Sequence, residues 1–116
     1  MEILVDSSDK TLMWLSNIKS EIIKKILRVE YKEKKYWASF KSPEKDRNFV
    51  FFHPTKNQIR IFTRLPLEFD EELQPTPASQ NWANMYPSIY TLREESKIQK
   101  AIDLIYKSYK YDLAIN

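Results

Sequence analysis

Cationic and aromatic side chains alternate along one short stretch of the chain. Arg60, Phe62 and Arg64 are spaced two residues apart, and the alternate positions include Ile59 and Ile61. In a β-strand this spacing places the two sets on opposite faces of a sheet. Aromatic rings stack on bases and guanidinium groups pair with phosphates, so the pattern is typical of a surface that binds single-stranded nucleic acid.

Neighbouring segments add side chains to this predicted surface. The first β-type segment supplies Trp37, or Tyr36 if its register is reversed, together with a nearby lysine. Three basic residues near the end of a predicted helix are expected to provide flanking phosphate contacts. The predicted nucleic-acid-binding residues are therefore Trp37, Lys41, Arg60, Phe62, Arg64, Lys24, Lys25 and Arg28.

Catalytic constellations are sparse in the sequence. His53 is the only histidine and stands before a proline at the end of a predicted strand, so we interpret it as a structural residue in a turn. Asp9 followed by Glu30-Tyr31-Lys32 has a spacing superficially like that of metal-dependent nucleases. Those enzymes present such residues from adjacent strands, whereas here we expect Asp9 to cap a helix and residues 30–32 to form its polar exit. We therefore predict no catalytic residues, no metal site and no cofactor.

Composition narrows the function classes further. The 116 residues include no cysteine, which excludes disulfides, thiolate metal sites and cysteine nucleophiles, and no glycine, which argues against phosphate-cradling loops and nucleophile elbows. No window is long and apolar enough to span a bilayer, so we expect a cytoplasmic protein without membrane contact. Residues 1–65 hold 14 Lys and Arg against 8 Asp and Glu, which marks this half as the candidate for an anionic partner.

The periodicity predicts one α+β domain over residues 1–116. Helical patterns cover residues 10–29 and a segment that starts with Glu94 and Glu95 and has an apolar stripe from Ile98 to Leu113. β-type segments cover residues 36–41, 48–53, 58–65 and 88–92, with a long loop over residues 66–87. Short polar connections imply an antiparallel sheet in the order α-β-β-β-loop-β-α, with both helices on one face and residues 49–52 in an interior strand.

The long loop leaves two interpretations of the second sheet face open. The face is either exposed and available to a ligand, or covered by the loop, which would lay Leu67, Phe69, Leu73 or Trp82 on the aromatic residues. In the covered arrangement the acidic residues 68–72 would lie near Arg60 and Arg64. Trp82 is the natural anchor of the loop, and we expect its ring to be substantially buried.

The residues resemble a known family over positions 8–113. The segments Tyr36-Trp37-Ala38-Ser39-Phe40-Lys41, residues 47–54, residues 59–66, Trp82 and residues 101–109 are similar to domain-of-unknown-function family 5655. The resemblance implies a small α+β module that stands alone or follows nuclease or restriction-type regions, and an architecture like that of double-wing DNA-binding domains. Family members place glycines around the loop tryptophan, whereas here Asn81 and Asn84 are the expected positions for φ > 0.

These observations lead to two functional hypotheses. The first is a non-catalytic accessory domain that binds DNA or RNA through the basic and aromatic sheet face. The second is a protein-interaction module that docks through the sheet face or the acidic loop onto a nuclease-type partner or onto its own copy, with Phe62 in the interface. Whether the sheet face is open distinguishes them.

Overall fold

The first helix is capped by Ser8 and not by Asp9 as expected, and it ends earlier than its apolar pattern predicts. The computed structural model describes residues 2–115, and in it α1 spans Asp9–Lys25. Ser8 and Thr11 form a capping box, in which the Thr11 N–H donates to Ser8 Oγ and the Ser8 N–H donates to Thr11 Oγ1. Ile26 already has extended backbone, so the predicted end at residue 29 is wrong. The chain must turn here to enter the sheet.

The segment after this turn is a strand, which corrects the prediction of a polar helix exit. Strand β1 (Glu30–Glu33) pairs antiparallel with β2 (Ala38–Ser42), and Tyr31 lies opposite Phe40. The rings of Tyr31 and Phe40 are 5.1 Å apart on the helix side of the sheet. Charged side chains are common on edge strands because they discourage pairing with other chains. They also have low strand propensity, so the sequence pattern did not predict a strand here.

Within residues 2–115, six antiparallel strands form the sheet, in the spatial order β1-β2-β3-β4-β6-β5. The other strands are β3 (Arg47–Pro54), β4 (Ile59–Thr63), β5 (Gln74–Pro75) and β6 (Ser88–Leu92). Residues Phe49, Val50 and Phe52 of β3 are fully buried, and β3 lies between β2 and β4. The predicted interior strand is therefore confirmed.

Both helices pack on one face of the sheet, as predicted. Helix α2 spans Ile98–Ala114 and follows a 3-10 turn at Glu95–Lys97. The main core joins apolar residues of α1 and α2 to the sheet residues Phe40, Phe52 and Ile61. Among residues 2–115 no helix is both long and apolar enough to cross a membrane.

The acidic part of the long loop packs beside α2 and not over the second sheet face. The Asp70 carboxylate accepts a hydrogen bond from Lys100 Nζ at 2.5 Å. Phe69 lies against Tyr111 with 5.3 Å between ring centroids, and Leu73 joins the main core. The covered interpretation placed these carboxylates near Arg60 and Arg64, but Asp70 pairs with Lys100 of α2, and Glu72 lies 3.7 Å from Lys97 just before that helix.

Candidate nucleic-acid interface

Strand register defines which side chains share the second face of the sheet, opposite the helices. Directly paired residues of antiparallel strands point to the same face. One row across this face runs from β1 to β6 through Lys32, Ser39, Phe51, Phe62 and Ile89. A neighbouring row pairs His53 with Arg60 and Arg60 with Thr91, and a third pairs Lys41 with Asn48. The alternation predicted for residues 60 and 62 is thus present.

The end of the long loop covers one half of this face. Phe62 is only 2% exposed, because Trp82 packs edge-on against it at 6.0 Å and Phe51 stacks on it at 4.6 Å. Tyr86 closes the cluster with its ring 4.7 Å from that of Phe51. Trp82 itself is partly buried, and its Nε1 is buried without a hydrogen-bond partner. Phe62 is therefore a core residue of the covered half and has no free ring face for a base.

The loop reaches this position through consecutive helix-like turns. Amide groups of Gln80, Ala83 and Tyr86 donate to carbonyl groups three or four residues earlier. In residues 2–115, positive φ occurs only at Leu4, Arg28 and Asp46, so the expectation that Asn81 and Asn84 adopt it is wrong. Turns of this kind need no left-handed residue, which explains how the segment folds without glycine.

The other half of the face is open and forms a shallow aromatic pocket. The pocket has a volume of about 240 Å³. Its lining residues are Lys34, Trp37, Ala38, Ser39, Asn48, Phe51 and Trp82. Three aromatic rings provide its walls, and a hydroxyl, a carboxamide and an ammonium group provide polar contacts. The hydrogen bonds of Asn48 to side chains use its backbone carbonyl, which accepts from Arg64 and from the Tyr86 hydroxyl.

A chain of polar contacts borders the pocket and holds Arg60. Arg60 Nη2 donates to His53 Nδ1 at 2.8 Å, and His53 Nε2 lies 3.1 Å from the Asp6 carboxylate. Since arginine can only donate, Nδ1 accepts, and Nε2 carries the ring proton and donates a hydrogen bond to the Asp6 carboxylate. Trp37 lies over the imidazole at 4.8 Å. Both ring nitrogens of His53 are thus engaged, which favours the structural role predicted for it.

Arg64 lies apart from this surface, in a buried ion cluster at the end of the sheet. Its side chain is 8% exposed, and Nε lies 3.4 Å from the carboxylate of Asp112 in α2. The same guanidinium donates twice to the Asn48 carbonyl and lies 4.9 Å from the Tyr86 ring centroid. Arg47 donates to Asp112 as well, at 2.7 Å. Arg64 is therefore committed to internal contacts, and the structure does not place it with Arg60.

The remaining predicted residues divide between the two sides of the sheet. Lys41 lies on the second face, 3.4 Å from Asp46 and 3.9 Å from Glu30. Lys24 and Lys25 belong to the last turn of α1, on the opposite side of the sheet, and Arg28 follows in the turn after that helix. These three cations do not flank the aromatic pocket.

Sequence reasoning missed most of the side chains that make the open surface. Lys32, Lys34, Ser39, Asn48 and Phe51 were not among the predicted binding residues. Had residues 30–33 been assigned to a strand, the register with β2 would have placed Lys32 beside Ser39 and identified this edge. Asp9, in contrast, lies in α1 on the helix side of the sheet, so it is not assembled with Glu30 and Lys32. Residues 2–115 contain no group of three potential metal-ligating side chains.

Comparison with known proteins identifies the family and nothing finer. The chain belongs to the family described as "Domain of unknown function (DUF5655)", whose model matches residues 2–112. No curated protein and no solved structure gives a significant match to the chain.

Proposed function

We propose that this member of the DUF5655 family is a non-catalytic domain that binds single-stranded nucleic acid through the open half of its second sheet face. The observation that carries the proposal is the aromatic pocket formed by Trp37, Phe51 and Trp82 beside Asn48 and Ser39. Its volume of about 240 Å³ lies below the range of drug-sized ligand sites and suits one flat ring system. A base stacked there would gain roughly 1–3 kcal/mol.

The charges around the pocket support the same ligand class. Lys32, Lys34, Lys41 and Arg60 lie on or at the border of this face. Phosphates on either side of a bound base would meet these cations, and each neutralised phosphate on a single strand contributes about 0.7 to the slope of log affinity against log salt. The polar groups of Asn48 and Ser39 can donate to or accept from the edge of a base.

The proposal of a non-catalytic domain rests on the contacts of the candidate catalytic side chains, which already bind other residues of the protein. His53 is held between Asp6 and Arg60, and Glu30 lies beside Lys41 at the edge of the sheet. Catalysis by proton transfer needs a positioned base beside a nucleophile or water. Both candidate groups are thus occupied by structural contacts, which supports a non-catalytic role.

A fluorescence titration tests the proposal. Two of the three tryptophans, Trp37 and Trp82, line the pocket, while Trp14 is buried on the helix side and serves as an internal reference. A short oligothymidine that stacks in the pocket should quench the emission of the two pocket tryptophans. Asn48→Ala removes one hydrogen-bonding side chain, and since such a bond is worth about 1 kcal/mol we expect about fivefold weaker binding.

The control is Asn17→Ala, which removes the same chemical group from the exposed face of α1. It should leave the affinity unchanged. If Asn48→Ala and Asn17→Ala bind with equal affinity, the binding site lies outside the pocket. Absence of quenching at low salt would refute the proposal.

A protein-interaction role is the second candidate, favoured by one apolar surface of the long loop. Leu67, Phe69 and Met85 are 42%, 44% and 54% exposed, and Leu67 and Met85 line one groove with Tyr111. Large exposed apolar side chains that share a groove often mark a contact surface. Pairing through the sheet edges is disfavoured, because β1 is short and charged and β5 has two residues including Pro75. Sedimentation that detects a dimer lost in Met85→Lys would support this role.

A further inference from the structure

A second basic surface lies on the helix side of the sheet, where the end of α1 meets the β2–β3 turn and the C-terminal half of α2. It is a groove with a volume of about 680 Å³, within the range of small-molecule sites. The aromatic pocket lies on the opposite face, so the two surfaces are distinct. Its polar and aromatic lining residues are Lys25, Arg28, Glu44, Tyr106, Tyr109 and Lys110.

The charges of the groove are unbalanced. Three cations, Lys25, Arg28 and Lys110, line it together with a single carboxylate, that of Glu44. Glu44 accepts a hydrogen bond from the Tyr109 hydroxyl at 2.5 Å. Burial, together with this hydrogen bond, raises the pKa of Tyr109 to about 12, so the tyrosine stays neutral at physiological pH. No ion pair joins the three cations to a carboxylate within residues 2–115, and the described lining residues carry a net charge of +2.

Two of these cations converge on one ring. The ammonium groups of Lys25 and Lys110 lie 5.6 Å and 6.0 Å from the centroid of Tyr106. One lysine comes from α1 and the other from α2, so the packing of the two helices fixes their approach. Both ammonium groups therefore add positive potential around this ring. A compact anion suits such a cluster of cations, whereas an extended nucleic-acid backbone would need a track of cations.

The third cation occupies a backbone position that usually belongs to glycine. Arg28 has φ 64°, in a turn closed by a hydrogen bond from the Val29 N–H to the Ile26 carbonyl at 3.2 Å. A left-handed residue at this place in a turn is most often glycine, and a residue with a Cβ is destabilised there by roughly 1 kcal/mol. This turn makes Arg28 a lining residue of the groove, together with the cations of both helices.

We propose that this groove binds a small compound that carries a di- or triphosphate group. The cations of Lys25, Arg28 and Lys110 contact the phosphate oxygens, and the tyrosine rings contact the uncharged part of the compound. The proposal does not depend on nucleic-acid binding at the aromatic pocket, because it rests on other residues and the other side of the sheet.

Inorganic pyrophosphate is the probe for this site. We expect it to bind in calorimetry at physiological salt and to shift the backbone amide resonances of Lys25, Arg28 and Lys110 in ¹H–¹⁵N spectra. Arg28→Gly removes a charge-assisted hydrogen bond and should weaken binding about tenfold or more. Because glycine suits the left-handed position, the same variant should be at least as stable as the wild type, which separates loss of the site from loss of the fold.

The matched control is Lys24→Ala, which removes one exposed charge next to the groove that is paired with Glu21 at 3.4 Å. It should keep the wild-type affinity. The proposal is overturned if pyrophosphate fails to bind, if Arg28→Gly binds as tightly as the wild type, or if Lys24→Ala is impaired to the same degree. Displacement of pyrophosphate by a single-stranded oligonucleotide that shifts the same amides would also overturn it, by assigning the groove to nucleic acid.

Discussion

Replacement of Asp112 by alanine should destabilise the protein strongly, because it leaves Arg64 buried without a counter-charge. Asp112 is completely buried in α2, and its carboxylate lies 3.4 Å from Arg64 Nε and 2.7 Å from Arg47 Nη2. Removal of one partner from a buried ion pair costs about 3–5 kcal/mol. We take about 3 kcal/mol, since Arg64 keeps its hydrogen bonds to the Asn48 carbonyl and Arg47 is 36% exposed. With a urea m-value of about 1.5 kcal/mol per molar, the unfolding midpoint should fall by about 2 M.

Two further variants make this prediction specific. Asp103→Ala removes an exposed carboxylate from the same helix, where it accepts only from Gln99, and should change the free energy of unfolding by less than about 0.5 kcal/mol. Arg64→Met combined with Asp112→Leu removes both charges and should restore most of the stability lost in Asp112→Ala. If Asp112→Ala behaves like Asp103→Ala in urea, the assignment of Arg64 to a buried structural cluster is wrong.

Two other predictions concern the long loop. The hydrogen bond from Lys100, with a second from the Glu72 amide, lowers the pKa of Asp70 below its usual 3.8. Asp70→Asn should therefore lower the melting temperature at neutral pH. The difference from wild type should persist above about pH 4 and vanish as the pH falls through the lowered pKa of Asp70. A difference in melting temperature that does not change with pH would contradict this prediction. Trp82→Ala should lower the free energy of unfolding in urea by about 2 kcal/mol, because the half-buried ring of Trp82 covers Phe62. The same variant should bind more of a hydrophobic dye. Unchanged stability and dye binding would show that the loop does not cover this half of the face.

The strands with apolar patterns were predictable because burial selected their residues. Ser88–Leu92 was predicted with its observed bounds, and the apolar run of β3 identified the interior strand. Strand β1 was not predicted, because its charged residues lie at the solvent-exposed edge of the sheet and show no apolar pattern. Local sequence carries little information about such an edge, which depends on the chain that pairs with it.

The candidate site was only partly predictable, because side chains alternate between the two sheet faces only as far as the strand extends. The pattern of Arg60 and Phe62 continues formally to Arg64, yet β4 stops at Thr63. The Arg64 N–H then donates to Ser108 Oγ of α2, and its side chain turns into the ion cluster with Asp112. That partner lies 48 residues away in sequence, so periodicity alone cannot reveal it.

The covering of half a sheet face was likewise set by distant contacts. Trp82 was recognised as an anchor from its size and its place in a long loop. Which half of the face it covers depends on the path of residues 66–87, which Asp70 and Phe69 direct along α2 before the chain returns to Phe62. Because of that path, the half of the face next to Lys32 and Lys34 is left uncovered.

The salt dependence of single-strand binding tests the central claim most directly. If Lys32, Lys34, Lys41 and Arg60 each meet a phosphate, the slope of log affinity against log salt is about −2.8, and affinity falls about 50-fold between about 50 and 200 mM salt. Lys32→Ala with Lys34→Ala should halve the slope to about −1.4, so that the loss is only about sevenfold. Lys24→Ala with Lys107→Ala, an equal charge change on the helices, should keep the wild-type slope. Fluorescence anisotropy of a labelled oligothymidine measures all three slopes; equal slopes for the two double variants, or no binding at the lowest salt, would contradict a nucleic-acid interface on the open half of the sheet face.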